Sequence, residues 1–568
     1  MSKFSTIDIV IFVFYFFVVA GYGYWVYSRK KGKGVSDTKD FFLAEGSLTW
    51  WAIGASLIAS NISAEQFIGT SGQGFAVGLA VAAYEWLAAI ALIIVAVWFI
   101  PIYLKNRIFT MPQFLENRYN STVSLIMAIF WLCLYIFVNI TSIIYLGALC
   151  INSLVAGNDN TMHLIMIALA LFALIITLGG MKVIGFTDVI QVLVLVVGGL
   201  ATTYIALTLV SQRFGLGKDA LAGFNAMLKD APDHFKMMLA KPGPNSTQTE
   251  RTNYLALPGI GMYFIGQWVV NLNYWGCNQY ITQRALGANL KTARAGILFA
   301  GLMKLAMPVI VVLPGIAAYV LYKNGGLQHE MSIGGKFNGD NAYSAILGFL
   351  PSGLKGLSLA ALTAAIVASL AGKANSISTI FTLDIYKKYI NKDADEKKTV
   401  TIGRITIVAA LIFSILLTWK DLLGISGVGG FTYIQKYTGY ISPGIFALFI
   451  LGMFWKRTTG AAAIAGILAS FGFSVLFNNF APELFGHNTW LYSSYLNNNG
   501  VYEIPFLLCM GYVFVLTVIV MVAISLAGPK INSKAFIFDR GMFKVEPSTI
   551  ALIVFTLLII AALYVKFW

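Results

Sequence analysis

About fourteen apolar stretches, each long enough to cross roughly 30 Å of hydrocarbon as a helix, run almost end to end through this 568-residue chain. They cover approximately 6–27, 48–76, 78–104, 122–153, 161–179, 183–211, 255–285, 292–322, 354–386, 400–419, 428–455, 459–480, 503–527 and 548–567. In lipid, backbone polar groups must find partners within the chain, so these stretches predict an all-α integral membrane protein. Only 11% of residues are charged, against about 25% in an ordinary soluble domain. Mean hydropathy is +0.77, which excludes a soluble enzyme, a nucleic-acid-binding protein and a disordered chain. The first stretch ends in Tyr22-Gly23-Tyr24-Trp25 rather than a small-residue cleavage site, and reads as a retained span.

The net charge of +15 reads as basic cytoplasmic loops, not as affinity for nucleic acid. Arg29 to Lys33, Lys105 with Arg107 and Arg118, Arg284 with Lys291 and Arg294, Lys387 to Lys398, and Lys456 with Arg457 all follow odd-numbered stretches. The loops near 77 and 154–160 hold no Lys or Arg. Odd exits are therefore expected in the cytoplasm and both termini outside, in a multi-pass cell-membrane protein. The longer outer loops fall at about 212–254 and 323–353. Cys133, Cys150, Cys277 and Cys509 lie in apolar stretches without a CxxC pair, and the four histidines are scattered, so no metal cluster or cofactor site is predicted.

Two stretches are interrupted by polar residues at membrane depth. The second reads Ala59-Ser60-Asn61-Ile62-Ser63-Ala64-Glu65-Gln66, and the seventh reads Trp268 to Gly276 with Asn271, Asn273 and Tyr274 inside. Such residues are costly in lipid unless they line a cavity, and they mark places where a helix can unwind and offer carbonyls to an ion. The two breaks lie five stretches apart, so 48–211 and 255–455 predict two five-helix repeats entering the membrane from opposite sides. Residues 1–47 form a first helix with a basic loop, 212–254 an outer loop, and 456–568 three further helices.

Glu65, Glu85, Asp188, Lys304 and Lys373 are ionisable groups at membrane depth, with Lys436 beside Gln435. Intramembrane charges are functional candidates by default, although pairing between helices would also account for them. Together with the amides of Asn61, Gln66, Asn271 and Gln435 they can bind several hydroxyls of a neutral polyol, and Tyr and Trp faces can cover a sugar ring. A charged amino acid is the alternative substrate on composition.

The stretch from Ala55 to Gly69 resembles the sodium/solute symporter family. Ala82 to Trp86, Asn271 to Gln279, Thr382 to Tyr386 and Tyr433 to Gly439 resemble its sodium/galactose and sodium/glucose branch. The resemblance runs from the first stretch through the twelfth. It implies a LeuT-type core of ten helices, with one before and three after, and uptake of a hexose with sodium by alternating access. The implied sugar site is Asn61, Gln66, Glu85, Asn271, Lys304 and Gln435. Tyr274 with Trp275 would form an inner gate, and Tyr84 with Phe431 an outer one. The implied sodium ligands are the carbonyls of Ala59, Ile62 and Ala365 and the hydroxyl of Ser369. The family pattern carries a serine where this chain has Ala88, a methionine at Thr70, and a second serine at Ala368.

Lys373 lies four residues beyond Ser369, on the same helix face. Asp188 is its expected partner. The lysine is then a structural bridge, a tethered cation that leaves sodium coupling weakened, absent or proton-based, or a side chain that snorkels to the interface. Rival classes are a channel, for which no filter sequence appears, and a membrane enzyme, for which no HExxH, GxSxG or P-loop appears. A sugar sensor that does not transport is the third.

Overall fold

The computed structural model describes residues 5–29, 37–44, 47–155, 157–333, 336–420, 422 and 430–568; the side chains of 37, 39, 333, 336 and 430–433 lie outside that description. The described residues are mostly helical, with two short hairpins among them, Ser332–Ile333 with Lys336–Phe337 and Tyr495–Leu496 with Tyr502–Glu503. Eleven helices among the described residues are long and apolar enough to cross a membrane. The count is twelve if Gln248–Tyr263 and Gly266–Gly276, bent by 86° at their junction, form one span. The expectation of about fourteen differs because three apolar stretches are not continuous helices. Residues 48–76 break after Asn61, 255–285 bend and break again, and 428–455 break between Gly439 and Ser442.

Helix Leu354–Thr379 sits at the centre. With its continuation to Ile390 it is 89% buried over its apolar window, whereas Pro547–Phe567 is 11% buried and presents Val554, Phe555 and Leu558 outward, as lipid-facing residues do. Small residues let helices close on that centre: a Cβ at Gly198 would stand 2.7 Å from the Cβ of Ala361, which leaves no room for a larger side chain. The first helix is tied to the same element by Asp8, whose carboxylate accepts from the backbone N–H of Gly353 at 2.7 Å and of Gly356 at 2.9 Å.

Two arginines expected in cytoplasmic loops are instead buried. Arg118 is 0% exposed and donates to the carbonyls of Gly452 (2.7 Å), Trp455 (3.0 Å) and Thr458 (3.0 Å), capping the end of helix Ser442–Phe454. Arg284 is also 0% exposed and joins the site described next.

Candidate functional site

At the first break, helix Trp50–Asn61 ends, Ile62 leaves helical geometry at φ −82° and ψ 108°, and a π-helical turn follows over Glu65–Thr70. The sequence dictates this. Ser63 turns its own hydroxyl onto the backbone N–H of Glu65 at 3.2 Å, competing with the helical ladder. The carbonyls of Ala59 and Ile62 consequently accept no backbone hydrogen bond among the described residues. Both residues are 1% exposed. Buried carbonyls without a donor suit a hard cation, which wants oxygen ligands.

Helix Leu354–Thr379 closes that place from the other side. Ala365 is buried on it, and Ser369 donates its hydroxyl to the Ser60 carbonyl at 3.1 Å. The four expected cation ligands thus lie on the two facing elements, and position 368 contributes only a methyl group.

In the seventh stretch the sequence reading needs correction. Residues Trp268–Gly276, expected to unwind, stay helical within Gly266–Gly276, and the interruption falls at Cys277 and Asn278. Buried tyrosines satisfy the backbone there: Tyr103 donates to the Gly276 carbonyl at 2.7 Å, and the Gln279 N–H donates to the Tyr135 hydroxyl at 3.1 Å. Tyr135 also hydrogen-bonds the Asn278 side chain. The polar side chains of Asn271 and Asn273 do not break the helix because they find partners. Asn271 donates to the carbonyl (2.9 Å) and side-chain oxygen (3.2 Å) of Gln267, and Asn273 donates to Ser442 at 3.0 Å.

Between the breaks lies one cavity. Its lining includes all six expected substrate residues, Asn61, Gln66, Glu85, Asn271, Lys304 and Gln435, although these come from five separate stretches of chain. Lys304 and Glu85 form a buried ion pair with side chains 1% and 3% exposed, and Lys304 also donates to the Asn61 side-chain oxygen. Asn61 in turn donates to the Tyr274 hydroxyl at 3.0 Å. The Thr70 hydroxyl donates to the side-chain oxygen of Gln66 at 2.7 Å, leaving that residue's amide N–H groups for a ligand. The Gln267 contacts take up the Asn271 amide nitrogen and leave its oxygen as an acceptor.

Of the expected gates, Tyr84, Tyr274 and Trp275 line the same cavity. Tyr274 meets Trp275 edge-on at 5.1 Å, and the Lys304 ammonium stands 5.2 Å from the Trp275 ring. Phe431 belongs to helix Gly430–Gly439, but its side chain lies outside the described residues.

Asp188 and Lys373 do not pair. Asp188, on helix Gly180–Arg213, accepts from Ser56 and stands 3.7 Å from Arg284. Arg284 also donates to Ser56 at 2.7 Å, to Ser60 and to the Tyr280 carbonyl. That guanidinium occupies the partner position that the sequence reading assigned to Lys373. Lys373 projects toward the cavity instead. It donates to Ser369 at 3.1 Å and stands 3.7 Å from Glu65. At 2% exposed it does not snorkel. Arg284, Tyr280 and Asn278 are site residues the sequence reading missed. Arg284 looked like loop charge, and nothing in the sequence marks Tyr280 apart from other aromatics.

Residues 41–470 match the Sodium:solute symporter family. A sodium/glucose cotransporter of Vibrio parahaemolyticus is 43% identical over 582 residues, covering 99% of this chain and 98% of that protein. Sodium/glucose cotransporter 1 of Ovis aries is 33% identical over 91% of this chain and 78% of its own. Sodium/myo-inositol cotransporter 2 of Mus musculus is 33% identical over 81% and 68%. A solved Na+-coupled sialic acid symporter, substrate-bound and outward-open, shares the fold with a TM-score of 0.74 at 21% identity, over 93% of this chain and 100% of that one. Matched by the family over most of its length and by a relative from end to end, this chain belongs to the sodium:solute symporter family, with sodium as its coupling ion.

Proposed function

We propose that the protein takes up a hexose together with sodium by alternating access, through a LeuT-type core of two inverted five-helix repeats at 48–211 and 255–455. One helix precedes this core and three follow it, with both termini outside the cell membrane. The observation that carries the reading is the buried chain Glu85–Lys304–Asn61–Tyr274 facing one cavity between two broken helices. The ion pair is neutral overall, so a neutral ligand adds no uncompensated charge, while the carboxylate accepts from and the ammonium donates to sugar hydroxyls. Gln66 offers donors and Asn271 an acceptor, so several hydroxyls are engaged at once. The Trp275 and Tyr274 rings cover the apolar face of the sugar, Tyr274 closing the inner side and Tyr84 with Phe431 the outer.

In the same reading sodium takes the Ala59, Ile62 and Ala365 carbonyls and the Ser369 hydroxyl. Its binding holds the first break against helix Leu354–Thr379, and its release frees them to part. A cyclic polyol is the second reading. Ala88 lines the cavity without a hydroxyl, and the murine relative is named for myo-inositol. Thermal stabilisation of the purified protein in sodium buffer by glucose, galactose, myo-inositol or sialic acid, each added alone, tests both. Stabilisation by hexoses supports the proposal, stabilisation by myo-inositol alone supports the second reading, and stabilisation by neither sugar nor polyol overturns both.

A further inference from the structure

We propose that Lys373 is a tethered competitor for the sodium seat: its ammonium rests on Ser369 when the seat is empty and withdraws to Glu65 when sodium enters. The inference rests on reading Ala59, Ile62, Ala365 and Ser369 as that seat.

Ser369 is the one side-chain ligand of the seat, and its oxygen is already engaged twice. It donates its proton to the Ser60 carbonyl at 3.1 Å and accepts from Lys373 at 3.1 Å. A cation that takes this oxygen at a hard-cation distance of about 2.4 Å lies at most about 5.5 Å from the ammonium. Two positive charges that close, both in the buried interior, repel strongly, so occupancy by one opposes occupancy by the other.

The ammonium has somewhere to go. Glu65 Oε1 stands 3.7 Å away, beyond hydrogen-bond length, and is buried without any hydrogen-bond partner. A buried carboxylate oxygen left idle calls for an explanation, and a second station for Lys373 supplies one. The lysine stem is long enough to swing between the two oxygens, and the Tyr280 ring, 5.0 Å from the ammonium, flanks it.

The charge balance points the same way. Around the seat stand Glu65 and Asp188 against Lys373 and Arg284, so the empty site is neutral. Sodium therefore enters a site with no spare negative charge, and binds more weakly than it would without Lys373. The same neutrality lets the empty carrier turn back across the bilayer without dragging a bare carboxylate. Lys373 thus sets how much sodium the transporter needs and eases its return.

The test is sodium-dependent thermal stabilisation of the purified protein without sugar, paired with sodium titration of hexose uptake in proteoliposomes. Lys373→Met is expected to lower the half-saturating sodium concentration at least tenfold in both, with Lys373→Gln as the check should the methionine variant fold poorly. Glu65→Gln, which weakens the second station, is expected to raise it. Lys373→Arg keeps the charge and should keep the parent's weaker response. An unchanged or raised half-saturation in both neutral variants, while Ser369→Ala still abolishes stabilisation by sodium, overturns the competition and leaves the seat standing. Stabilisation by sodium that survives Ser369→Ala overturns the seat itself, and the proposal with it.

Discussion

Removing either charge of the Glu85–Lys304 pair is expected to do two separable things. Both side chains are almost wholly buried, at 3% and 1% exposed. Removing one partner of such a pair leaves the other charge buried, at a cost of about 3–5 kcal/mol. In Glu85→Gln the stranded ammonium keeps the Asn61 amide oxygen and the Trp275 ring. That places the cost near about 3 kcal/mol, enough to be seen in unfolding. Lys304→Met strands the Glu85 carboxylate and should cost as much. The double variant Glu85→Gln with Lys304→Met removes both charges at similar volume, and should recover at least about 2 kcal/mol relative to the sum of the single losses. Sugar binding should stay lost in all three, because the charge-assisted contacts are gone even where the fold is restored. Unfolding of the purified protein in detergent gives the first quantity, and binding of labelled hexose gives the second. Additive stabilities across the cycle would refute the buried-pair reasoning. Parent-like hexose binding in the double variant would refute the pair's place in the substrate site.

Three further outcomes follow from the geometry. Tyr274→Phe keeps the ring but loses the hydrogen bond from Asn61, worth about 1 kcal/mol, so hexose binding should weaken about fivefold. Tyr274→Ala should instead speed release in efflux measurements, and equal binding losses for Phe and Ala would make the hydroxyl the essential group. Gly78→Ala should loosen the loop at 212–254 by more than about 1 kcal/mol, since the residue sits at φ +82° and a Cβ would lie 2.3 Å from the His234 carbonyl oxygen. Limited proteolysis between residues 212 and 254 reads this, with parent-like cleavage as the contrary result. His234 itself packs on Tyr319 and bonds the Phe75 carbonyl, and its burial pushes the imidazole's pKa below the usual value. The neutral form is the docked one, so its contribution is present above the ordinary histidine pKa of about 6.5 and is lost as pH falls through the lowered value. Cleavage of that loop should rise on acidification in the parent and not in His234→Phe.

Membrane class, the first helix break and the identity of the cavity's polar residues were legible because each rests on a local signal. A charge or amide inside an apolar stretch is costly, so Glu85, Lys304 and Asn61 stand out without knowledge of their neighbours. Partnerships were not legible, because they depend on which helix faces meet. Asp188 and Lys373 look complementary along the chain, yet Arg284 reaches Asp188 first. Arg284 and Arg118 were unreadable for a related reason. An arginine near the end of an apolar stretch looks like loop charge, and only packing reveals that it satisfies buried carbonyls and hydroxyls. The break at Cys277 and Asn278 was displaced in the sequence reading because Asn271 and Asn273 are bonded within the fold and leave their helix intact. The interruption after Gly439 carries only a glycine and the Ser442-Pro443 pair, a weak signal within an apolar run.

The central claim, that this cavity couples a hexose to sodium, is tested most directly by gradient-driven uptake into proteoliposomes containing the purified protein. Coupling through this cavity predicts that labelled galactose or glucose accumulates above its external concentration under an inward sodium gradient. It also predicts that accumulation collapses when choline replaces sodium or when a sodium ionophore dissipates the gradient, and that it is absent in Gln66→Ala with Asn271→Ala. Equal accumulation in sodium and choline, or uptake that survives loss of both amides, would contradict it.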